Sequence, residues 1–230
     1  MRKGLQALST IYTEKREKLG TGAALDGRGK RAAFAMFFGP LHFLVVRHVL
    51  RELGAGSPAE IVDLGCGTGV GGAAWAVEAG GRATISGVEK NSWAQGEAKH
   101  TFADLGVKGR VHPGDFSRAR LPGKDGAVVA AWAVNELSDE ARAALLPRLL
   151  DCGARVLIVE PIAKSPVPWW SDWAAAFVAR GGRADEWKWR ESLPETLTKL
   201  DRAAHLDHRT LSCRTLWLAA AAAASASATT

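Results

Sequence analysis

Cysteine is scarce in this chain of 230 residues: Cys66, Cys152 and Cys213 are odd in number and far apart. Such a set suits neither a disulfide framework nor a zinc or iron–sulfur ligand set, so buried thiols are the simple reading and no metal is expected. His205 and His208 stand without a third ligand and are read as structural or solvent-facing. Long apolar runs are missing as well. No uninterrupted stretch of about 18 apolar residues occurs, and Met1 to Gln6 leads into charged sequence rather than the apolar middle of a signal peptide. The expectation is a cytoplasmic protein with no membrane partner. Internal repeats are absent too. What the chain does have is 47% hydrophobic residues, enough for one α/β domain with an appendage that buries roughly 70% of its unfolded surface.

Acidic residues are few at the start. Residues 1 to 53 hold ten Lys or Arg against four Asp or Glu, which accounts for the whole net charge of +6. A basic segment of this kind suits a polyanionic partner, RNA above all, although a solvated helical face would carry the same charges. Leu5, Leu8, Ile11, Tyr12 and Leu19 recur at helical spacing over residues 4 to 19, and glycines then break residues 21 to 30 into a loop. A second helical region is expected over about 30 to 53, interrupted at Gly39-Pro40 because proline removes a donor. Residues 1 to 58 thus read as an N-terminal helical extension. Residues 219 to 230, rich in Ala, Ser and Thr, read as a disordered tail.

Between them, residues 59 to 218 alternate strand and helix, which predicts a mostly parallel, Rossmann-like sheet with helices on its faces. Strands are expected near 60 to 64, 83 to 89, 109 to 114, 126 to 132, 153 to 160 and 209 to 218. Helices are expected near 70 to 80, 92 to 105, 138 to 150, 168 to 180 and 194 to 204. Trp169, Trp170, Trp173, Trp187 and Trp189 lie among Arg180, Arg183, Lys188 and Arg190. Aromatic planes beside cations can stack RNA bases, but Trp169, Trp173 and Phe177 also fall at i, i+4 and i+8, as helix-to-sheet packing requires.

The stretch that concentrates chemistry is Asp63-Leu-Gly65-Cys66-Gly67-Thr-Gly69, between the first strand and the first core helix. Glycines there allow close ligand approach, and the helix start aims free N–H groups at the loop. Gly67-x-Gly69-x-x-Gly72 also spells a dinucleotide fingerprint, though later after the strand than that fingerprint requires. Aligned on Asp63, the stretch resembles motif I of the class I S-adenosylmethionine (SAM) methyltransferases. Glu89 ends the second strand and would accept from ribose hydroxyls in either reading. The resemblance implies SAM as cofactor, gripped at Asp63, Gly65, Cys66, Gly67, Gly69, Glu89, Lys90 and Trp132. It further implies that Asp115 accepts from the adenine amino group and that the Phe116 backbone meets the ring. As a turn carboxylate, Asp115 would have a plainer role.

By the same resemblance, Asn135 and Glu136, after the fourth strand, face the methyl group and the acceptor. In the plainer reading Glu136, Ser138 and Glu140 simply start the next helix. Glu160 ends the fifth strand at the same edge. The Asp/Asn-Pro-Pro-aromatic signature of exocyclic amino methylation and a Pro-Cys nucleophile are both absent. A narrower similarity joins Tyr12-Thr-Glu-Lys-Arg16, Val49-Leu50-Arg-Glu-Leu53, Asn135-Glu-Leu137 and Val159-Glu-Pro161 to the methyltransferase-like proteins of the small ribosomal subunit. It implies ribosomal RNA or the small subunit as partner. That family's cysteine-rich iron–sulfur segment has no counterpart here.

Overall fold

Ile61, Val62 and Leu64 are apolar and mostly β-branched, and they form a strand buried on both faces, β1 (Glu60–Leu64). The computed structural model describes residues 3–6, 27–162 and 168–221. Four more parallel strands join β1: β2 (Thr84–Glu89), β3 (Lys108–Pro113), β4 (Ala127–Ala131) and β5 (Arg155–Glu160). Two further strands, β6 (Arg183–Arg190) and β7 (Thr210–Leu218), complete a seven-stranded sheet in the order β3-β2-β1-β4-β5-β7-β6. β7 runs antiparallel to both of its neighbours. The chain leaves β1 toward β2 on one side and enters β4 on the other, so a topological switch lies between β1 and β4, where open α/β sheets bind ligands.

The first helix, α1, runs without a break from Arg28 to Glu52. The sequence predicts an interruption at Gly39-Pro40, and the structure instead places a π-helical turn over Phe34–Phe38. The cause is local. Gly39 N–H donates to Phe34 O, one residue beyond the α-helical partner, and the widened turn admits Pro40 without ending the helix. By length and composition α1 could cross a membrane, yet half of its apolar window is buried inside the fold. Its stripe of Leu41, Val45, Val46, Val49 and Leu50 shares a core with Ala73, Ala74 and Ala76 of α2 (Val70–Glu78). Each of the larger side chains contributes roughly 1.5–3 kcal/mol on burial. Arg47 and Arg51 of α1 both grip Glu78 of α2, at 2.6 and 2.8 Å.

The other core helices are α3 (Ser92–Asp104), α4 (Asp139–Asp151), α5 (Pro168–Ala179) and α6 (Glu195–Ala203). Asn91 caps α3 by accepting from Trp93 N and Ala94 N, and Ser138 caps α4 by accepting from Ala141 N. Helices α1, α2 and α3 cover one face of the sheet and α4 and α5 the other. Trp173 and Phe177 of α5 are buried, as the packing reading expects. β6 is a strand that sequence reading does not foresee. Trp187 donates to Thr215 Oγ1 at 2.8 Å and Trp189 stacks on His48 at 4.0 Å, so these indoles pack inward on the sheet. Most of the helix expected over 4 to 19, the loop before Gly27, the Tyr12–Arg16 motif and the tail from residue 222 lie outside the described residues.

Candidate active site

The glycine loop is built by left-handed backbone at Gly65, Gly67 and Gly69, with φ of 64°, 52° and 78°. Gly65 shows the requirement most sharply. A Cβ there would sit 2.8 Å from Ala133 Cβ and 3.1 Å from the Phe116 ring. The loop is fixed from beneath by Asp63, whose buried carboxylate accepts from Gly72 N at 2.7 Å and so holds the first turn of α2. Burial pushes the Asp63 carboxyl up to about 7, with Gly72 N–H opposing the rise and Glu89 adding to it. Cys66 donates its N–H to Val88 O, while its sulfur lies against Gly87, where a Cβ would come within 2.8 Å. Burial raises that thiol well above its ordinary range, which leaves it inert.

Glu89 closes the second side of the pocket. Its two carboxylate oxygens accept from Gly67 N at 2.9 Å and Asn91 N at 2.7 Å. A carboxylate has about four acceptor positions, so others remain for the hydroxyls of a ribose. Phe116 is buried and lines the pocket, while Asp115 stays exposed and accepts from Ser117 N at 2.9 Å, capping a short 3-10 turn. That bond holds the Asp115 carboxyl below its usual range.

At the end of β4 the backbone turns sharply through Trp132, a non-glycine residue with φ of 56°. Its N–H donates to Val159 O at 2.7 Å, and its indole stacks on His42 of α1 with ring centres 3.7 Å apart. Such strain persists where surrounding contacts fix it, and here the stack and the bond do so. His42 is held neutral: burial, with His208 as a smaller cause, pushes its pKa down to about 3. His208 in turn pairs with the buried Asp201 at 2.6 Å. Among the described residues no cluster of His, Cys, Asp or Glu could hold a metal ion.

Glu136 lines the same pocket beside Lys90, whose ammonium lies 3.8 Å away. Desolvation raises its carboxyl to about 7, with Lys90 opposing and Glu89 adding to the rise. Asn135 has a different place. Its amide donates to Glu160 and accepts from Trp169 Nε1 at 3.1 Å, so it braces β4 against β5 and α5. The structure therefore gathers Asp63, Gly65, Cys66, Gly67, Glu89, Lys90, Phe116, Trp132 and Glu136 around one pocket. Gly69 sits beneath the loop as the N-cap of α2, and Asp115 and Asn135 lie outside the lining. Sequence reasoning misses Phe34, His42 and Thr68, which also line it. Gly39 was the available signal: a Cβ there would lie 3.2 Å from Thr68 Oγ1, so the glycine lets α1 approach the loop.

Residues 45–131 match the family model of the methyltransferase small domain. The chain has the fold of the class I SAM-dependent methyltransferases. No curated protein matches it by sequence. Among solved structures, the chain is similar to magnesium protoporphyrin IX methyltransferase from Synechocystis PCC 6803 with bound SAM, at 15% identity and a TM-score of 0.52, over 92% of this chain and 93% of that one. A putative RNA methyltransferase from Pyrococcus horikoshii is 16% identical with a TM-score of 0.52, over 95% of this chain and 98% of that one. Mitomycin 7-O-methyltransferase is 16% identical with a TM-score of 0.56, over 88% of this chain and 60% of that one. At these identities the likeness is one of fold. The site fits a SAM cofactor: the loop is free of side chains at Gly65 and Gly67, and Glu89 presents acceptors to the pocket.

Proposed function

We propose that this protein is a SAM-dependent methyltransferase that acts on a base of RNA, with ribosomal RNA of the small subunit the first candidate. The observation that carries the reading is the acceptor end of the pocket, where Phe34, His42, Phe116 and Trp132 gather beside the Glu136 carboxylate. Aromatic walls suit a flat heteroaromatic acceptor, and a carboxylate with a pKa near 7 suits an acceptor that must lose a proton. The similarity to the Pyrococcus protein, named as a putative RNA methyltransferase, supports the same choice.

Bound SAM supplies an electrophilic methyl group. The protein's part is to hold, orient and dehydrate. Glu89 and the glycine loop fix the cofactor end, and Trp132, braced by His42, forms a rigid wall at the switch point. Glu136 accepts the acceptor's proton, and Lys90 limits how far its pKa rises. Incubating the protein with methyl-labelled SAM and separate cellular RNA, protein and metabolite fractions tests this. Label should enter RNA. Label in protein or metabolites instead would overturn the substrate class, and tight SAM binding with no transfer at all would favour a cofactor-binding assembly factor.

A further inference from the structure

Strands of a parallel sheet are ordinarily covered on both faces by crossover helices. In this sheet the crossover from β3 to β4 carries only the 3-10 turn Phe116–Arg118. Residues Ile85 and Val111 point to the face covered by α1, α2 and α3, so Thr84, Ser86 and Val88 of β2 and Lys108, Arg110 and His112 of β3 point to the other. There Lys108, Arg110 and His112 are all exposed. Strand geometry spaces them about 6.6 Å apart, close to the separation of successive phosphates on an extended RNA strand. Phe116, Ala119 and Leu121 pack on this face with Val62 and Leu64, which sets the exposed Arg118 and Arg120 beside the row. Glu60 and Asp115 are the acids of this face on β1, β2, β3 and the turn that follows, and Asp115 already caps Ser117 N–H. Lys108, Arg110, Arg118 and Arg120 form none of the ion pairs found among the described residues.

We propose that the uncovered face of β2 and β3 is the track for the RNA phosphate backbone, with Lys108, Arg110 and His112 contacting successive phosphates and Arg118 and Arg120 guiding the strand to the pocket. The row runs along β3 and ends at Gly114-Asp115-Phe116, where Phe116 enters the pocket lining, so a strand bound on it arrives at the acceptor end. This rests on the RNA reading above. It also moves the cationic surface away from the N-terminal segment, where Arg47 and Arg51 pair with Glu78 and Arg31 sits 5.6 Å over the Trp93 ring.

The test compares two double variants of equal charge change, Lys108→Ala/Arg110→Ala on β3 and Lys188→Ala/Arg190→Ala on the opposite sheet edge. Each is titrated with a fluorescent 20-nucleotide unstructured RNA across a salt series, and SAM affinity is measured alongside to confirm folding. The β3 variant should bind RNA at least tenfold more weakly, with its log–log salt slope reduced by about 1.4, or 0.7 per lost phosphate contact. The β6 variant should match wild type. Equal losses in both variants, or no loss in the first, would overturn the track while leaving the RNA reading intact. Wild-type protein that binds no RNA yet transfers label to protein or metabolites would overturn both.

Discussion

Glu136, Asp63 and His42 each titrate away from their usual range, with different consequences. Glu136 must be ionised to accept a proton, so the methyl-transfer rate should rise with pH through about 7. Glu136→Gln should lower the rate about 10²–10⁴-fold, keep SAM affinity, and erase that limb of the pH–rate profile. Asp63 carries a raised pKa in the folded state, so its contribution to stability is full below about 4 and is lost as pH rises through about 7. Asp63→Asn keeps an acceptor for Gly72 N–H. Its stability relative to wild type should therefore climb between pH 4 and 7, by at most about 1.4 kcal/mol per pH unit. His42 is the opposite case. Its lowered pKa gives stability that is full above about 6.5 and is lost as pH falls toward 3. His42→Phe, which retains a ring against Trp132, should gain on wild type as the pH drops below 6.5. Denaturant titrations of both variants across pH 4 to 8 separate the two slopes.

At the scale of elements, α1 is the part that turns a generic sheet edge into a walled pocket. Its approach to the glycine loop depends on Gly39, where a side chain would press on Phe34 O and Thr68 Oγ1. Gly39→Val should cost about 1–3 kcal/mol in a denaturant titration and weaken SAM binding. Gly29→Ala, in open space earlier in α1, should be neutral or stabilising by up to about 1 kcal/mol. Strands β1 to β5 and their helices were legible because Ile61-Val62, Val128-Val129 and Leu157-Ile158 are apolar runs, and because Asn91 and Ser138 mark helix starts. β6 was not. As an edge strand it alternates Trp187 and Trp189 with Lys188 and Arg190, and such charges disguise a strand in sequence. His42 was hidden too, since its ring partner Trp132 belongs to an element far along the chain.

At the scale of the whole molecule, the order β3-β2-β1-β4-β5-β7-β6 brings the ends of β1, β2 and β4 to one switch point, and the acids expected there divide their labour. Asp63 and Glu160 turned out to hold the protein together, through Gly72 N–H and Asn135, while Glu89 and Glu136 face the pocket. That division follows from long-range packing, which motif spacing does not encode. The glycine loop left SAM and NAD both open on sequence, because each carries a ribose that Glu89 could hold. Calorimetric titration of the protein with SAM and with NAD, repeated with Glu89→Gln, decides between them. SAM should bind, NAD should not, and the variant should lose about 1.5–3 kcal/mol of SAM affinity. NAD binding without SAM binding would contradict the account.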